Sequence, residues 1–259
     1  MPRSATGIAL GLAAGLAFGA GGSFIKPVLA SGWSPGAAVL ARISIAAVAL
    51  LVPTLVSLRF DLRPLWRSRW TVLAYAAFAV VGTQLAYYAA ISRISVSLAL
   101  LIEYLAPVVI VLLAWQRSRR APRPIVLTGT AGAILGLALV IGPGMGGGLD
   151  LAGIGFALIA MLGLVVYYVL GARPDPDVPP VALAGAGFAV GAVLLAAAGG
   201  VGIVPLSARF GSVTLAHWTM PWWVPLLFVG LISCAFAYVA GIAAVQRLGS
   251  RVGSFLGLS

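Results

Sequence analysis

With 259 residues, 62% of them hydrophobic and only 8% charged, and a mean hydropathy of +1.12, this chain cannot cover a folded surface in water, where about 25% of residues are charged. Its net charge of +11 would suit nucleic acid, but the arginines fall in short clusters between apolar runs, the pattern that orients membrane proteins. Lipid as solvent leaves helices or closed barrels, and runs of roughly 20 residues suit helices rather than barrel strands.

The first run, 5–29, contains "GIALGLAAGLAFGAGGSFIKP". Gly7, Gly11, Gly15 and Gly19 recur every four residues and end near Lys26, the only lysine. Small residues at that spacing let helix backbones approach closely. Packing alone would explain the ladder. Alternatively, Gly19, Gly21, Gly22 and Pro27 let the helix bend beside Lys26. Further runs follow at 36–57, 70–91, 94–115, 124–142, 150–171, 179–200 and 222–245, and a ninth begins near 250. Connections are short and rich in turn residues: "SGWSPG" (31–36), "RAPRP" (120–124), "GPGMGGG" (142–148) and "RPDPDVPP" (173–180). The glycine-rich 142–148 lacks the Gly-Lys-Ser/Thr ending and flanking strand of a phosphate loop. The long connection at about 201–221 carries tryptophans suited to a membrane interface.

Loop charge predicts orientation. Arg59, Arg63, Arg67 and Arg69 follow the second run, and Arg117, Arg119, Arg120 and Arg123 follow the fourth. The alternate connections carry almost no charge, which predicts a cytoplasmic N-terminus in a multi-pass protein of the inner (plasma) membrane.

The chain also repeats. "AAISRISVSLALL" (89–101) lies on "AAVQRLGSRVGSF" (243–255) at an offset of 154, and "GIALGLAAGL" (7–16) lies on "GIGFALIAML" (153–162) at 146. Each unit then holds five runs, and an odd number inverts the second unit in the membrane. The expected fold is an all-α integral membrane protein with ten helices as a 5+5 inverted repeat. Residues 1–145 form the first unit and 146–259 the second, incomplete and cut within the ninth helix. The match of the first run to an internal one also argues against a cleaved signal peptide.

On these residues the chain resembles the drug/metabolite transporter superfamily, in its EamA-type branch. "FGAGGSFIKPVLASGWSPGAAVLARISIAAVALL" (18–51) resembles that branch's opening, with Lys26, Ser34, Pro35 and Arg42 in the matching places. "YYAAISRISVSLALLIEYLAPVVIVLLA" (87–114) resembles its third–fourth junction, with Ser95, Ser97 and Pro107. The chain departs from the branch at "AWQRSRRAPR" (114–123), where many members carry Gly-Glu. Within the branch, "EYLAP" is most similar to exporters of aromatic and other neutral amino acids. The resemblance implies export of small metabolites by alternating access through a central cavity. The alternative is efflux of multiple drugs or cationic compounds.

Ionisable groups at membrane depth are functional candidates. Lys26 ends the first run, Arg42 lies about 9 Å inside the second, and Glu103 about 13 Å inside the fourth, at ~1.5 Å per residue. Arg42 and Glu103 are assigned as structural or coupling charges; a buried pair that only fixes helix packing is the simpler reading. The functional reading has Lys26 drawing a substrate carboxylate, with Glu103 answering an ammonium or carrying a proton. Gln84 and Tyr88 share a helical face, and Ser97, Leu101, Tyr104 and Val108 share a stripe. Tyr167 and Tyr168 lie deep in the sixth run and Tyr238 in the eighth. The predicted substrate-binding set is therefore Lys26, Gln84, Tyr88, Ser97, Tyr104, Tyr168 and Tyr238, with Gly21, Gly22, Pro27 and Pro107 as hinges. His217 and Cys234 are single and the aspartates sit in or beside connections. No catalytic or metal constellation is predicted, and no enzyme or cofactor is expected. The expected partners are a small-molecule substrate and the bilayer, not nucleic acid, and the expected working unit is a monomer.

Overall fold

A computed structural model describes residues 2–118, 132, 135, 150–171, 178–215 and 217–240. The predicted run 124–142, the 145/146 unit boundary, the linker 142–148 and everything beyond 240, including the repeat partners 243–255, lie outside the described residues. The described helices are α1 (Pro2–Ala30), α2 (Pro35–Ser57), the short α3 (Arg63–Arg67), α4 (Arg69–Ile91), α5 (Val96–Glu103), α6 (Ala106–Ser118), α7 (Leu151–Gly171), α8 (Pro180–Gly200) and α9 (Trp223–Ala240). Six described helical stretches are long and apolar enough to cross a membrane, α5 and α6 jointly supplying one of them.

Caps and prolines set the ends. Ser34 accepts a hydrogen bond from the Ala37 amide, and Pro35 opens α2 where its missing N–H costs nothing. Ser95 caps α5 in the same way through Leu98. Pro107 cannot donate to the Glu103 carbonyl, and the helix breaks between Glu103 and Ala106. Pro27 behaves differently: α1 runs unbroken from Pro2 to Ala30 through it.

The two halves of the chain interdigitate. α1 packs on α9, α2 on α8, and α4 on α7. Exchanging the first run with the sixth, the second with the seventh and the third with the eighth turns these pairs into themselves. The sequence also hid two stretches of π-helix, Tyr75–Gly82 in α4 and Phe228–Phe236 in α9. They begin 153 positions apart (Tyr75 and Phe228), close to the sequence repeat of 154. The shared core holds Ile25, Ile43, Tyr88, Leu98, Phe188 and Leu226, while Leu16, Val48, Leu151 and Val193 face outward. An apolar exterior over apolar cores is what lipid as solvent requires.

An all-helical chain was expected, yet the long connection contains an antiparallel ribbon, Ser212–Leu215 with Trp218–Pro221. The β-branched Val213, Thr214 and Thr219 favour an extended backbone, and the exposed connection lets water satisfy the open edges. The segment before it clamps the start of α2: Ser34 Oγ donates to the Pro205 carbonyl at 2.7 Å, and the Ser34 amide donates to the Ser207 carbonyl at 2.9 Å. Trp33 Nε1 donates to the Arg209 carbonyl at 2.7 Å, and its ring stacks on Trp222 at 5.4 Å.

The close packing lies at Gly21 and Gly22 rather than at Gly19, the end of the ladder. A Cβ on Gly19 would meet open space, whereas one on Gly21 would overlap Ser233 and one on Gly22 would overlap the Tyr87 hydroxyl and Val96. Gly22→Ala is therefore expected to cost about 1–3 kcal/mol through overpacking, read as a lower thermal midpoint in detergent. Gly19→Ala should be tolerated, and equal losses for both would refute this assignment.

At the start of α7, Asp150 Oδ1 accepts from the Gly153 amide at 2.8 Å, and Arg93 approaches Oδ2 at 3.5 Å. The helix-start amide, and then Arg93, hold this carboxyl below its ordinary value of 3.8. A depressed carboxylate adds stability above its unfolded pKa and loses it as pH falls through the folded one. Melting of the wild type is thus expected to drop more steeply below about pH 4 than that of Asp150→Asn, which keeps a capping oxygen without a titrating charge. Parallel melting curves would rule this out.

Candidate functional site

The polar centre of the described fold is built around Arg42. Its position on the second run faces α4 and α9, and its side chain is only 4% exposed. Nη1 donates to Gln84 Oε1 at 2.8 Å and to the Tyr88 hydroxyl at 3.2 Å. Nη2 donates to the Ser233 carbonyl at 3.4 Å, and the guanidinium lies 5.7 Å from the Tyr88 ring centroid. Nε has no partner. Three helices thus meet on one cation: α2 supplies it, α4 supplies Gln84 and Tyr88 one turn apart, and the π-helical part of α9 supplies a carbonyl. A buried charge is tolerable only with such partners.

The arrangement has an asymmetry. Gln84 and Tyr88 occupy the Nη1 side, the Nε–Nη2 edge carries a single long hydrogen bond, and the buried Cys234 thiol also lies close to the guanidinium. That edge presents two parallel N–H groups, the geometry that matches a carboxylate.

Beside it lies an aromatic group. Tyr238 is within 5.6 Å of Tyr167, 5.0 Å of Phe188 and 5.4 Å of Phe18 between ring centroids. Tyr75 reaches Tyr167 at 5.8 Å. The rings come from α1, α4, α7, α8 and α9, so five helices share one wall. Tilted and edge-to-face contacts of this kind leave apolar faces with hydroxyls at the ends.

The predicted residues divide into those the fold gathers and those it does not. Gln84 and Tyr88 meet on Arg42, and Tyr238 stands in the adjoining wall. Glu103 forms no ion pair within 4 Å among the described residues, although it lies within electrostatic reach of Arg42 and Tyr87. The expected direct Arg42–Glu103 pair is replaced by neutral partners, because lying in the same half of the membrane does not give a shared face. Lys26 lies apart: Nζ donates to the Ile94 carbonyl at 2.9 Å and ties α1 to the turn before α5. Ser97 is exposed and Tyr104 half-buried. The side chain of Tyr168 lies outside the described residues. Gly21 and Gly22 are packing contacts within a continuous helix, and only Pro107 coincides with a break.

Sequence reasoning missed Tyr75, Tyr87, Phe188 and Ser233. One signal was available: Gln84 and Tyr238, which stand in adjoining clusters, are 154 positions apart, the offset of the internal sequence match.

Adjacent tyrosines offer a sharp test. Tyr88 bonds to the guanidinium, while the buried Tyr87 hydroxyl has no hydrogen-bond partner among the described residues. Tyr88→Phe is expected to cost about 1.5–3 kcal/mol, the worth of a hydrogen bond to a charged group. Tyr87→Phe should be neutral or slightly stabilising, and thermal unfolding in detergent that ranks the two in the opposite order would overturn the Arg42 network.

No curated protein matches the chain. A crystal structure of a protein 22% identical in sequence superposes with a TM-score of 0.64, covering 99% of this chain and 82% of that one, a likeness of fold alone. Residues 5–142 match the EamA-like transporter family, and with more than half of its length so matched, this membrane-embedded chain belongs to the EamA-like transporter family of the drug/metabolite transporter superfamily, whose members carry small molecules across membranes.

Proposed function

We propose that the chain exports amino acids, aromatic or otherwise apolar, by alternating access at a cavity between its two halves. The observation that carries this reading is the Arg42 guanidinium. It is buried among α2, α4 and α9, with its carboxylate-matching edge underused and an aromatic wall alongside. A carboxylate would take that edge and displace the long bond to the Ser233 carbonyl. An apolar side chain would lie against Tyr75, Tyr167 and Tyr238. Arg42 is closed from solvent here, so binding requires α9 to shift. A π-helical stretch around Ser233 supports this, because such turns carry irregular hydrogen bonding.

The 5+5 inverted repeat, with the N-terminus cytoplasmic in an inner membrane, belongs to the same reading. It is supported by the paired π-helical stretches, the self-mapping helix contacts and the arginine-rich connections. Lys26 stands at the opposite end of α1 from the N-terminus, as an entry or exit cation that would hand a carboxylate to or from Arg42. A second reading, efflux of cationic compounds, draws on the half-buried Glu103 near tyrosines.

Proteoliposome flux separates the readings. Phenylalanine, its carboxyl-amidated analogue and tetraphenylphosphonium are compared in wild type, Arg42→Lys, Lys26→Ala and Lys26→Arg. Losing the guanidinium fork is expected to slow phenylalanine by roughly tenfold or more while sparing the amide. Lys26→Ala should also impair phenylalanine, and Lys26→Arg should fare better. If both solutes fall together, or neither falls, the carboxylate reading fails. Movement of tetraphenylphosphonium without phenylalanine would install the second reading in its place.

A further inference from the structure

The connection between α2 and α4, with the first residues of α4, carries chemistry that the transport path does not use. Residues 59–70 read "RFDLRPLWRSRW". Arg59, Arg63, Arg67 and Arg69 are all exposed, and none forms an ion pair among the described residues. The single acid, Asp61, is exposed and engages the backbone: its Oδ1 accepts from the Arg63 amide at 2.9 Å, two residues on, and it forms no ion pair with these side chains. Phe60 and Trp66 stand between the cations and Trp70 follows the last of them, at 73%, 73% and 71% exposure. Arg69 lies over both tryptophans, 5.7 Å from one ring and 5.6 Å from the other.

This patch is held in shape. Leu65 packs on Leu58, Val178 and Ala182, so α3 is anchored by one face and presents the other. Arg59 and Phe60 both adopt positive φ, 53° and 61°, a conformation uncommon for residues with bulky side chains. The Phe60 amide donates to the Leu55 carbonyl at 2.8 Å and fixes this turn. Backbone strain of this kind persists only where surroundings over-determine it, and it clusters at functional places. The patch also joins the ends of two membrane helices, where Val52 and Val56 continue the exposed apolar lane along α2.

We propose that this connection is a binding site for an anionic phospholipid of the adjoining leaflet. The exposed guanidinium groups take the phosphate, since each offers a fork of donors matched to phosphate oxygens. Phe60, Trp66 and Trp70 seat in the interface, where amphipathic rings sit at headgroup level. Charge complementarity selects the ligand: an unneutralised cluster of cations beside a bilayer attracts negative headgroups over zwitterionic ones.

The test uses the purified full-length chain in detergent with phosphatidylglycerol and phosphatidylcholine in equal amounts, and native mass spectrometry counts retained lipid. Wild type is expected to favour phosphatidylglycerol. Changing Arg63, Arg67 and Arg69 together to Gln should lower that preference by at least about fivefold, and changing all three to Lys should restore part of it. Circular dichroism checks that each variant is folded. If the triple Gln variant does not fold, the single exposed changes Arg67→Gln and Trp66→Ala carry the test with smaller drops. Equal retention of the two lipids by wild type, or an undiminished preference in the folded Gln variants, overturns the proposal. Displacement of bound phosphatidylglycerol by millimolar inorganic phosphate would overturn it too, because the patch would then read free phosphate.

Discussion

A guanidinium inside a membrane protein must find its partners in the protein. Arg42 does so by drawing one amide oxygen, one hydroxyl and one backbone carbonyl from α4 and α9. Much of the described arrangement follows from that requirement. α2 must present Arg42 to α4, where Gln84 and Tyr88 stand one turn apart. α9 must bring Ser233 close enough to lend its carbonyl, and Gly21 on α1 leaves room for the Ser233 side chain. Lipid on the outside gives no hydrophobic drive between helices, so close backbone approach and buried hydrogen bonds carry the association.

The same constraint ties the two halves of the chain to each other. Helices pair across those halves, α1 on α9 and α4 on α7. The two π-helical stretches lie on α4 and α9, which also supply the partners of Arg42. π-helical turns are rare and frequently stand at functional sites. At the other end of α2, the Ser34 clamp and the stacking of Trp33 on Trp222 tie the long connection to the helix start. They give that end of the bundle a fixed point. The arginine-rich connection between α2 and α4 plays the corresponding part at the opposite end of the helix, through Leu65 and its packing on α8.

Local and additive properties were readable along the chain. Transfer into lipid is summed residue by residue, so span positions, the membrane environment and the EamA-type resemblance were legible from hydropathy, loop charge and short motifs. Ionisable residues at depth stood out for the same reason, and Arg42, Gln84, Tyr88 and Tyr238 were all singled out. Helix rotation was not encoded in the same way. These helices are apolar nearly all round, so no polar stripe shows which face turns inward. Only tertiary packing decided that Arg42 meets Gln84 and Tyr88 rather than Glu103, and that Lys26 holds a carbonyl at the turn before α5. Packing likewise decided that Gly21 and Gly22, not the end of the ladder at Gly19, are the glycines pressed against neighbours. The ribbon at 212–221 and the π-helical stretches also escaped the sequence, because each depends on what the backbone finds to bond with in three dimensions.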